Sequence, residues 1–338
     1  MTQHNGYTVV IADSDFGDAD IERAIVEGAG HRLVAADCRT EDDVIAAARD
    51  ADAVLAQYAT VGSRAIDAFT RCKVIARYGT GTDIVDVDAA TRNGILVTNV
   101  PNDWCQNEVA DHAMALLLAA VRKVCTYHGA TRTGTWRWQT GEPIHRMQGR
   151  TLGLLSFGAI AQSIAARAHA FGMHVVAHDP YMPGDDVIAH GAMPVTFDEL
   201  IEESDYLVIQ APLTKETHHR IGAAELRRMK PTTILVNTAR GPIVRDDALY
   251  QALTEGWIAG AGLDDIEEEP AKVRDWRPTN PLFGLDNVLI TPHAAYYSEE
   301  AIRTVRDFAA HEVVRVLGGQ PPLSPVNAAQ LASIHLHH

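Results

Sequence analysis

Short apolar runs alternate with amphipathic stretches through the first hundred residues of the chain. The apolar runs have the length and composition of strands: Thr8–Ala12, Arg32–Ala35, Ala53–Ala56, Val74–Arg77 and Ile95–Thr98. The stretches between them repeat apolar residues at helical spacing: Ile21–Glu27, Asp42–Ala48, Ser63–Phe69 and Val87–Arg92. Regular alternation of strand and helix predicts a parallel sheet covered by helices.

A second alternating unit follows further along the chain. Its predicted strands are Thr151–Ser156, His174–His178, Tyr206–Gln210, Thr233–Asn237, Ile258–Leu263 and Asn287–Thr291. The helix predicted over Ile160–Phe171 ends at Gly172, and a last long helix is expected from Ser298, its N-cap, to about Leu317. The pattern therefore predicts an α/β fold with two doubly wound parallel-sheet domains.

A single long helix is predicted between the two units, from Asp103 as its N-cap to Cys125. The apolar residues of this helix lie on almost all of its faces, which favours burial between domains or between subunits. The loop-like stretch after it carries Trp136 and Trp138. We therefore expect a homodimer that associates through the second unit.

Composition and charge restrict the partners of the chain. Of its 338 residues, 46% are hydrophobic and 22% are charged, and the formal net charge is −15 without a long basic run. Nucleic acids and anionic membranes attract clustered Lys and Arg, so neither is expected as a partner, whereas a small anionic substrate remains compatible. The chain has no CxxC pair, no HExxH motif and no signal-peptide pattern, so we expect free thiols, no bound metal and a cytoplasmic protein.

The turn after the first strand of the second unit carries a nucleotide-binding pattern. It reads Ser156-x-Gly158-x-x-Ala161 where a dinucleotide fingerprint reads GxGxxG/A, so the first small position departs from the pattern. The next strand ends at His178 and is followed by Asp179, which lies 21 residues after Gly158. An acidic residue at that point accepts hydrogen bonds from the adenosine ribose and repels a 2′-phosphate. The sequence therefore predicts NAD as the cofactor in preference to NADP.

A second glycine pair, Gly79-Thr80-Gly81, also follows a predicted strand. No third small residue completes a nucleotide fingerprint there, and Asp83 would bring a carboxylate towards the phosphates. We interpret this stretch as a substrate-side loop whose backbone amides face an anion.

Three further segments carry catalytic residue types at strand ends. Arg240 follows one strand, and its planar guanidinium suits a carboxylate. The acidic segment from Asp264 to Glu269 follows the next strand, and His293 follows the last one. A histidine there can exchange a proton at neutral pH, and a nearby carboxylate favours its protonated form. Each segment alone also fits a surface arginine, a solvated acidic run or a turn histidine, but together with a cofactor site they indicate a catalytic set.

These segments resemble the D-isomer-specific 2-hydroxyacid dehydrogenase family over most of the chain, from about Arg71 to Asn327. The resembling segments are Arg77–Asp86, Gly153–Ala161, Asp179–Tyr181, Pro212–Thr217, Asn237–Gly241, Leu263–Pro270 and Thr291–Ala295. Within the family, the segment from His293 to Glu300 is most similar to the branch of the C-terminal-binding-protein corepressors. That branch has a tryptophan at Tyr296, and Arg77 matches one of its substrate-contacting arginines.

The resemblance implies a role for each catalytic residue. Arg240 would bind the substrate carboxylate and polarise the keto oxygen, and His293 would exchange a proton with that oxygen. Glu269 would hydrogen-bond His293 and hold it protonated. Thr80 and Gly81 would offer backbone amides to the carboxylate, while the nicotinamide would carry the hydride.

Two sets of binding residues also follow from the resemblance. The implied cofactor-binding residues are Gly158, Ala159, Ile160, Asp179, Pro212, Thr217, Thr238, Ala239, Arg240, Asp264, His293 and Ala295. The implied substrate-binding residues are Arg77, Thr80, Gly81, Arg240, His293 and Tyr296. Within the first set, Asp264 is expected to contact the nicotinamide end.

The resemblance further implies a domain plan and an activity. A flavodoxin-like substrate domain would comprise residues 1–100 and 298–338. A Rossmann NAD-binding domain would comprise residues 101–297, and the active site would lie in the cleft between the two domains. The activity would be NAD-dependent interconversion of a 2-keto acid and a D-2-hydroxy acid. An alternative is a corepressor-like dimer that senses NAD(H), which would need a peptide groove that the sequence does not reveal. The intact set of Arg240, Glu269 and His293 favours the enzyme over the corepressor-like dimer. A third alternative, a formate dehydrogenase, is disfavoured because related formate dehydrogenases have Gln at the position of Glu269.

Overall fold

The structure is a computed structural model that describes residues 6–101, 104–268 and 276–335. These residues form two compact units. The first consists of residues 6–101, Trp104 and residues 298–335, and the second consists of residues 105–268 and 276–297. The predicted boundaries of a substrate domain and an NAD-binding domain remain a prediction, because compact units do not by themselves show which unit binds which ligand.

The first unit contains a parallel five-stranded sheet. Its strands are β1 (Thr8–Ile11), β2 (Arg32–Ala35), β3 (Ala53–Ala56), β4 (Val74–Arg77) and β5 (Leu96–Thr98). Its helices are α1 (Asp20–Gly28), α2 (Glu41–Ala48), α3 (Ser63–Ala68), α4 (Val87–Arg92), α12 (Glu299–Leu317) and α13 (Ala328–His335). The strand order β2-β1-β3-β4-β5 is the flavodoxin-like order. The five predicted strands are confirmed within one residue at each end, whereas the sequence pattern missed α13.

The second unit contains a parallel seven-stranded sheet. Its strands are β6 (Thr151–Leu155), β7 (His174–His178), β8 (Met193–Pro194), β9 (Tyr206–Ile209), β10 (Ile234–Asn237), β11 (Gly260–Leu263) and β12 (Val288–Ile290). Its helices are α5 (Gln106–Val121), α6 (Val124–Arg132), α7 (Ala159–Ala170), α8 (Gly184–Ala189), α9 (Phe197–Glu203), α10 (Ala223–Arg228) and α11 (Asp246–Thr254). The order β12-β11-β10-β9-β6-β7-β8 reverses direction between β6 and β9, as in a Rossmann fold. The predicted doubly wound α/β fold is therefore confirmed in both units.

A buried ion pair connects helix α12 to helix α1 within the first unit. Arg306 on α12 is only 5% exposed, and it donates from Nε and Nη2 to the carboxylate of Glu22 on α1 at 2.8–3.2 Å. The same guanidinium contacts Asp18 at 2.7 Å. A buried charge of this kind is stable only with its partners in place, so this ion pair stabilises the packing of α12 against α1. The predicted cap of α12 is also confirmed, because Ser298 Oγ accepts from the backbone N–H of Ala301 at 2.9 Å.

The single helix that the sequence predicted from Asp103 to Cys125 is wrong in its extent. Lys123 adopts a left-handed backbone with φ of 55°, which ends α5 and separates it from α6. Helix α5 begins at Gln106 with Cys105 at the N-cap, and Asp103 lies outside the described residues. The apolar residues of α5 are buried in the core of the second unit, so that core accounts for them without a subunit contact.

Two observations concern the surroundings of the protein. Cys38, Cys72, Cys105 and Cys125 are all free thiols. In the part of the chain that the structure describes, no helix combines the length and the apolar character that crossing a membrane requires.

Candidate active site

The nucleotide-binding turn predicted from the sequence lies between β6 and α7. Gly158 is the N-cap of α7, so Ala159 and Ile160 form the first turn of that helix. Ala161 is fully buried, as the close packing of helix on strand requires. A Cβ built at Gly158 meets no protein atom within 4 Å, so the space beside this residue at the start of the helix is open. An open space beside helical N–H groups fits the pyrophosphate of a dinucleotide.

Asp179 lies beside this turn because β6 and β7 are neighbouring parallel strands. One carboxylate oxygen, Oδ2, accepts from Ser156 Oγ at 3.0 Å and from the backbone N–H of Phe157 at 2.9 Å. The other oxygen, Oδ1, accepts from the backbone N–H of Tyr181 at 2.9 Å. Asp179 is half-buried, and a carboxylate in this position has the acceptor chemistry that a ribose diol needs.

The loop after β9 faces the end of β7 across the point where the strand order reverses. Thr217 Oγ1 donates to the carbonyl of Pro212 at 2.6 Å, which closes the loop on itself. Tyr181 Oη donates to Glu216 Oε2 at 2.5 Å and so connects this loop to the residues after β7. The hydrogen bond to Glu216 raises the pKa of the Tyr181 hydroxyl above its ordinary value. Ligands of open α/β sheets bind in the crevice at such a point. The hydrogen bond between Tyr181 and Glu216 therefore joins the two sides of the crevice where a nucleotide is expected.

The predicted cofactor residues continue onto the end of β10. Gln210 Nε2, after β9, donates to Thr238 Oγ1 at 2.6 Å. The backbone N–H of Ala239 donates to Asn237 Oδ1 at 3.0 Å. The residues predicted from Gly158 to Ala239 therefore occupy the carboxyl ends of four adjacent strands, in the order β7, β6, β9 and β10.

Arg240 has a backbone held on both sides. Asn237 Nδ2 donates to the Arg240 carbonyl at 2.9 Å, and the backbone N–H of Gly241 donates to Asp265 Oδ2 at 3.0 Å. A Cβ at Gly241 would lie 1.9 Å from the carbonyl oxygen of Ile266, so only glycine permits this approach. The guanidinium is half-buried and donates from Nη1 to the carbonyl of Ala239 at 2.8 Å. The segment that carries Arg240 is thus locked against the end of β11.

Asp264 organises the loop that carries His293. Its buried carboxylate accepts from Thr291 Oγ1 at 2.5 Å and from the backbone N–H groups of Ala294 and Ala295 at 2.9 and 2.8 Å. Its carbonyl accepts from the backbone N–H of His293 at 2.8 Å. These contacts commit the carboxylate to the loop, which is a role that the sequence did not indicate. The expected contact of Asp264 with the nicotinamide remains a prediction.

His293 itself adopts a left-handed backbone with φ of 52°. Such a conformation is uncommon outside glycine, Asn, Asp and His, and it persists here because Asp264 holds both the residue and its neighbours. The ring of His293 makes an edge-on contact with the ring of Tyr296, with 6.0 Å between centroids. Glu269, the predicted partner of His293, lies outside the described residues.

His112 is a residue near this loop that sequence reasoning missed. It lies on α5 and its Nε2 is 2.9 Å from Thr291 Oγ1 and 3.5 Å from Asp264 Oδ1. Thr291 therefore lies between an imidazole and a carboxylate that the chain separates by 152 residues. A single histidine inside an apolar helix carries no signal for this contact in the sequence.

The acidic segment after β11 proves to be engaged with the protein at several points. Asp264 and Asp265 are buried and bound as described above, and Glu267 pairs through Oε1 with His219 Nε2. Glu267 also accepts from the backbone N–H of Asp246 at 3.1 Å, and burial raises the pKa of the Asp246 carboxyl above its ordinary value. The reading of this segment as a solvated acidic run is therefore wrong for these residues.

The predicted substrate-side residues of the first unit lie after β4. Arg77 is buried, and its Nη1 donates to the carbonyl of Tyr78 at 2.7 Å. Gly79 has a φ of 138°, a conformation that residues with a Cβ rarely adopt, so the backbone favours glycine beside Arg77. Thr80 Oγ1 donates to the carbonyl of Val100 at 3.1 Å, which commits its side chain to the unit. Gly81 follows as a half-buried residue of the same loop.

This Rossmann sheet has an open glycine turn, an acidic residue after its second strand, and Arg and His after the two strands that flank β11. These features together define a nicotinamide-dependent dehydrogenase. Residues 114–295 match the family model described as "D-isomer specific 2-hydroxyacid dehydrogenase, NAD binding domain". The chain belongs to this family, as the sequence motifs predicted.

Known proteins similar to this chain are oxidoreductases. A glyoxylate reductase from Korarchaeum cryptofilum is 39% identical over 84% of this chain and 85% of its own length. A D-lactate dehydrogenase from Aquifex aeolicus, solved with NAD and lactic acid, has a TM-score of 0.82 and 26% identity over 92% of this chain and 96% of its own. An acyclic imino acid reductase, solved with NADPH and D-Arg, has a TM-score of 0.82 and 27% identity over 94% and 99%.

Family membership and these similarities identify the chain as an NAD-dependent 2-hydroxyacid dehydrogenase. They confirm the predicted reaction class and do not favour the corepressor alternative. The specific similarity to the corepressor branch, based on the segment from His293 to Glu300 and on Arg77, remains a prediction.

Proposed function

We propose that this enzyme reduces a short 2-keto acid to the D-2-hydroxy acid with NADH, and that Arg240 and His293 act on the substrate. The observation that carries this proposal is the pair of buried carboxylates at the end of β11. Asp265 binds the backbone beside Arg240, and Asp264 binds the loop that bears His293. One strand end thereby positions both functional segments, which arise from the strands on either side of it.

Glyoxylate is the first candidate substrate. The glyoxylate reductases among the similar proteins match this chain at 37–40% identity. Glyoxylate has one carboxylate and one adjacent carbonyl, so it presents the two groups that a guanidinium and a proton donor recognise. Arg77, Thr80, Gly81 and Tyr296 are proposed as further substrate contacts on the family resemblance.

Arg240 has the chemistry to anchor and activate such an acid. Its planar guanidinium forms paired, charge-assisted hydrogen bonds with a carboxylate, which fixes the orientation of the neighbouring carbonyl. Its positive charge also stabilises the negative charge that develops on the keto oxygen during reduction. The locked backbone of Arg240 and Gly241 reduces the cost of ordering this contact.

His293 completes the reaction as the proton donor. In reduction its imidazolium gives a proton to the keto oxygen, and in oxidation its imidazole takes the proton back. When bound, the reduced nicotinamide supplies the hydride that the keto carbon receives. One hydride and one proton convert the carbonyl to CH–OH, so the reaction balances. We propose Glu269 as the carboxylate that keeps His293 protonated.

The cofactor is proposed to lie along the carboxyl ends of β7, β6, β9 and β10. Its pyrophosphate would meet the first turn of α7 at Gly158, Ala159 and Ile160, and its ribose would meet Asp179. The remaining proposed contacts are Pro212, Thr217, Thr238, Ala239, Asp264 and Ala295. On this assignment residues 101–297 form the NAD-binding domain, and residues 1–100 with 298–338 form the substrate domain.

The test is a panel of 2-keto acids with NADH, followed at the nicotinamide absorbance. Arg240→Ala removes a paired charged contact of roughly 1.5–3 kcal/mol, which corresponds to about a 10- to 150-fold loss in kcat/KM. His293→Ala removes acid catalysis and should lower kcat by about 10²–10⁴-fold. NADH affinity, measured by fluorescence titration, should stay close to wild type in both variants.

Matched controls come from the same unit. Arg245→Ala and His190→Ala each remove an exposed side chain of the same type, so both should keep wild-type turnover. Turnover of no 2-keto acid on the panel would reject the proposed function. Near-normal turnover by His293→Ala would reject the proposed proton donor.

We further propose that the enzyme is a homodimer that associates through residues 124–138. Helix α6 contains no buried residue, and this stretch exposes Val124 by 53%, Trp136 by 89% and Trp138 by 67%. Large exposed aromatic side chains are typical of association surfaces. Sedimentation should give a dimer for the wild type and a shift towards monomer for Trp136→Ser/Trp138→Ser. A monomeric wild type at micromolar concentration would contradict this assignment.

A cytoplasmic location is proposed from the cysteines. All four thiols are free, and free thiols are typical of a reducing compartment. Detection of the native protein outside the cytoplasm by cell fractionation would overturn this proposal.

A further inference from the structure

Ser156 occupies a position where its backbone conformation is unfavourable. It stands at the first small position of the nucleotide-binding turn, where the fingerprint has glycine. Its φ is 74°, in the left-handed region that a Cβ disfavours and glycine adopts freely. A serine at such a position carries a backbone cost that contacts of its side chain can offset.

The side chain of Ser156 has one evident contact, which is Asp179. The hydroxyl donates to Oδ2 at 3.0 Å, next to the donation from the Phe157 N–H to the same oxygen. The backbone of Ser156 is held as well, because its N–H donates to the carbonyl of His178 at 2.9 Å. Since the Tyr181 N–H binds Oδ1, three donors fix both oxygens of the carboxylate.

This arrangement restricts what Asp179 can do when a nucleotide binds. A carboxylate held through both oxygens cannot turn away from its position, and its charge stays beside the turn. A 2′-hydroxyl can donate to the remaining acceptor sites, whereas a 2′-phosphate meets a negative charge that cannot retreat. Glu216, which accepts a hydrogen bond from Tyr181, adds a second carboxylate near the end of β7, the strand that Asp179 follows.

We propose that Ser156 is a specificity-determining residue for the cofactor: its hydroxyl holds the Asp179 carboxylate in place and thereby sets the preference for NAD(H) over NADP(H). Ser156 acts through Asp179 and makes no contribution to the chemistry on the keto acid. The proposal rests on nucleotide binding alone, so it stands or falls independently of the proposed substrate.

Three variants separate this role from a structural one. Ser156→Ala keeps the backbone strain and removes the hydroxyl, whereas Ser156→Gly removes both. The third variant, Asp179→Ala, removes the group through which Ser156 is proposed to act. The measurements are the dissociation constants of NADH and NADPH by fluorescence titration, and the Tm without nucleotide.

The proposal predicts that Ser156→Ala and Ser156→Gly change the cofactor preference alike. In both, the NADPH-to-NADH ratio of dissociation constants should fall by about tenfold, which corresponds to about 1.4 kcal/mol. The Tm should differ between them, with Ser156→Gly the more stable because glycine relieves the positive φ. In the Asp179→Ala background, adding Ser156→Ala should leave the ratio unchanged.

Two results would overturn the proposal. If Ser156→Gly binds NADH as well as the wild type with an unchanged ratio, the hydroxyl has no role in specificity. If Ser156→Ala lowers the NADPH-to-NADH ratio of dissociation constants equally with and without Asp179, the effect of the substitution does not pass through that carboxylate.

Discussion

Asp264→Asn is the substitution that most directly tests how the catalytic loop is held. The wild-type carboxylate accepts hydrogen bonds from Thr291, Ala294 and Ala295 in a buried position. Asparagine keeps the shape but has one acceptor oxygen, and its other terminal atom becomes an N–H donor. In either orientation of the amide, at least one backbone N–H of the loop then faces another donor.

The magnitude follows from these contacts. One buried N–H without an acceptor costs about 1–3 kcal/mol, and the loss of charge weakens the hydrogen bonds that remain. We therefore expect the free energy of unfolding to fall by roughly 2–4 kcal/mol, which a domain with a stability of about 5–15 kcal/mol tolerates. If about 2 kcal/mol of this falls on the loop, kcat/KM should drop by about 30-fold.

The assay combines urea unfolding with steady-state kinetics and NADH titration. NADH titration separates the loop role of Asp264 from its proposed contact with the cofactor, because a carboxylate that acts through the loop alone leaves NADH affinity little changed. The control is Asp286→Asn, which removes an exposed carboxylate of the same unit and should leave all three quantities unchanged. A variant with normal stability and normal kcat/KM would refute the reasoning. A large loss of NADH affinity with normal stability would instead favour the direct nicotinamide contact predicted from the sequence.

Three further substitutions test separate features. Gly158→Ala places a Cβ in space that the protein leaves open, so the Tm should be retained while NADH affinity, measured by titration, falls by tenfold or more; unchanged affinity would contradict the assigned turn. Gly241→Ala brings a Cβ to 1.9 Å from the Ile266 carbonyl, so urea unfolding should show a loss of roughly 2–4 kcal/mol. Burial opposes ionisation of Asp205, yet a backbone hydrogen bond and the Lys230 ammonium outweigh burial and lower its pKa below the ordinary 3.8. Its stabilising contribution is therefore complete above about pH 4 and lost as the pH falls through the lowered pKa, so the unfolding free energy of Asp205→Asn should depend less on pH below 4 than that of the wild type.

The sequence pattern by itself predicted the parts of this protein that depend on local periodicity. Buried parallel strands are short continuous apolar runs, and glycine turns and helix caps are local signals, so the two sheets, the open turn at Gly158 and the cap at Ser298 could all be predicted. Asp179, Arg240 and His293 could be proposed because each directly follows such a strand, where α/β sheets place their ligands.

Contacts between distant parts of the chain required the tertiary structure. The break at Lys123 is a backbone conformation that the apolar pattern across it conceals, and α13 has no strong periodic signal. The family resemblance assigned Asp264 to the cofactor, and only the folded chain shows that its carboxylate also binds a loop 27 or more residues away. His112 meets Thr291 across 179 residues, and Ser156 meets Asp179 across 23. Hydrogen bonds depend on distance and direction in space, and sequence spacing determines neither once the chain has crossed between strands.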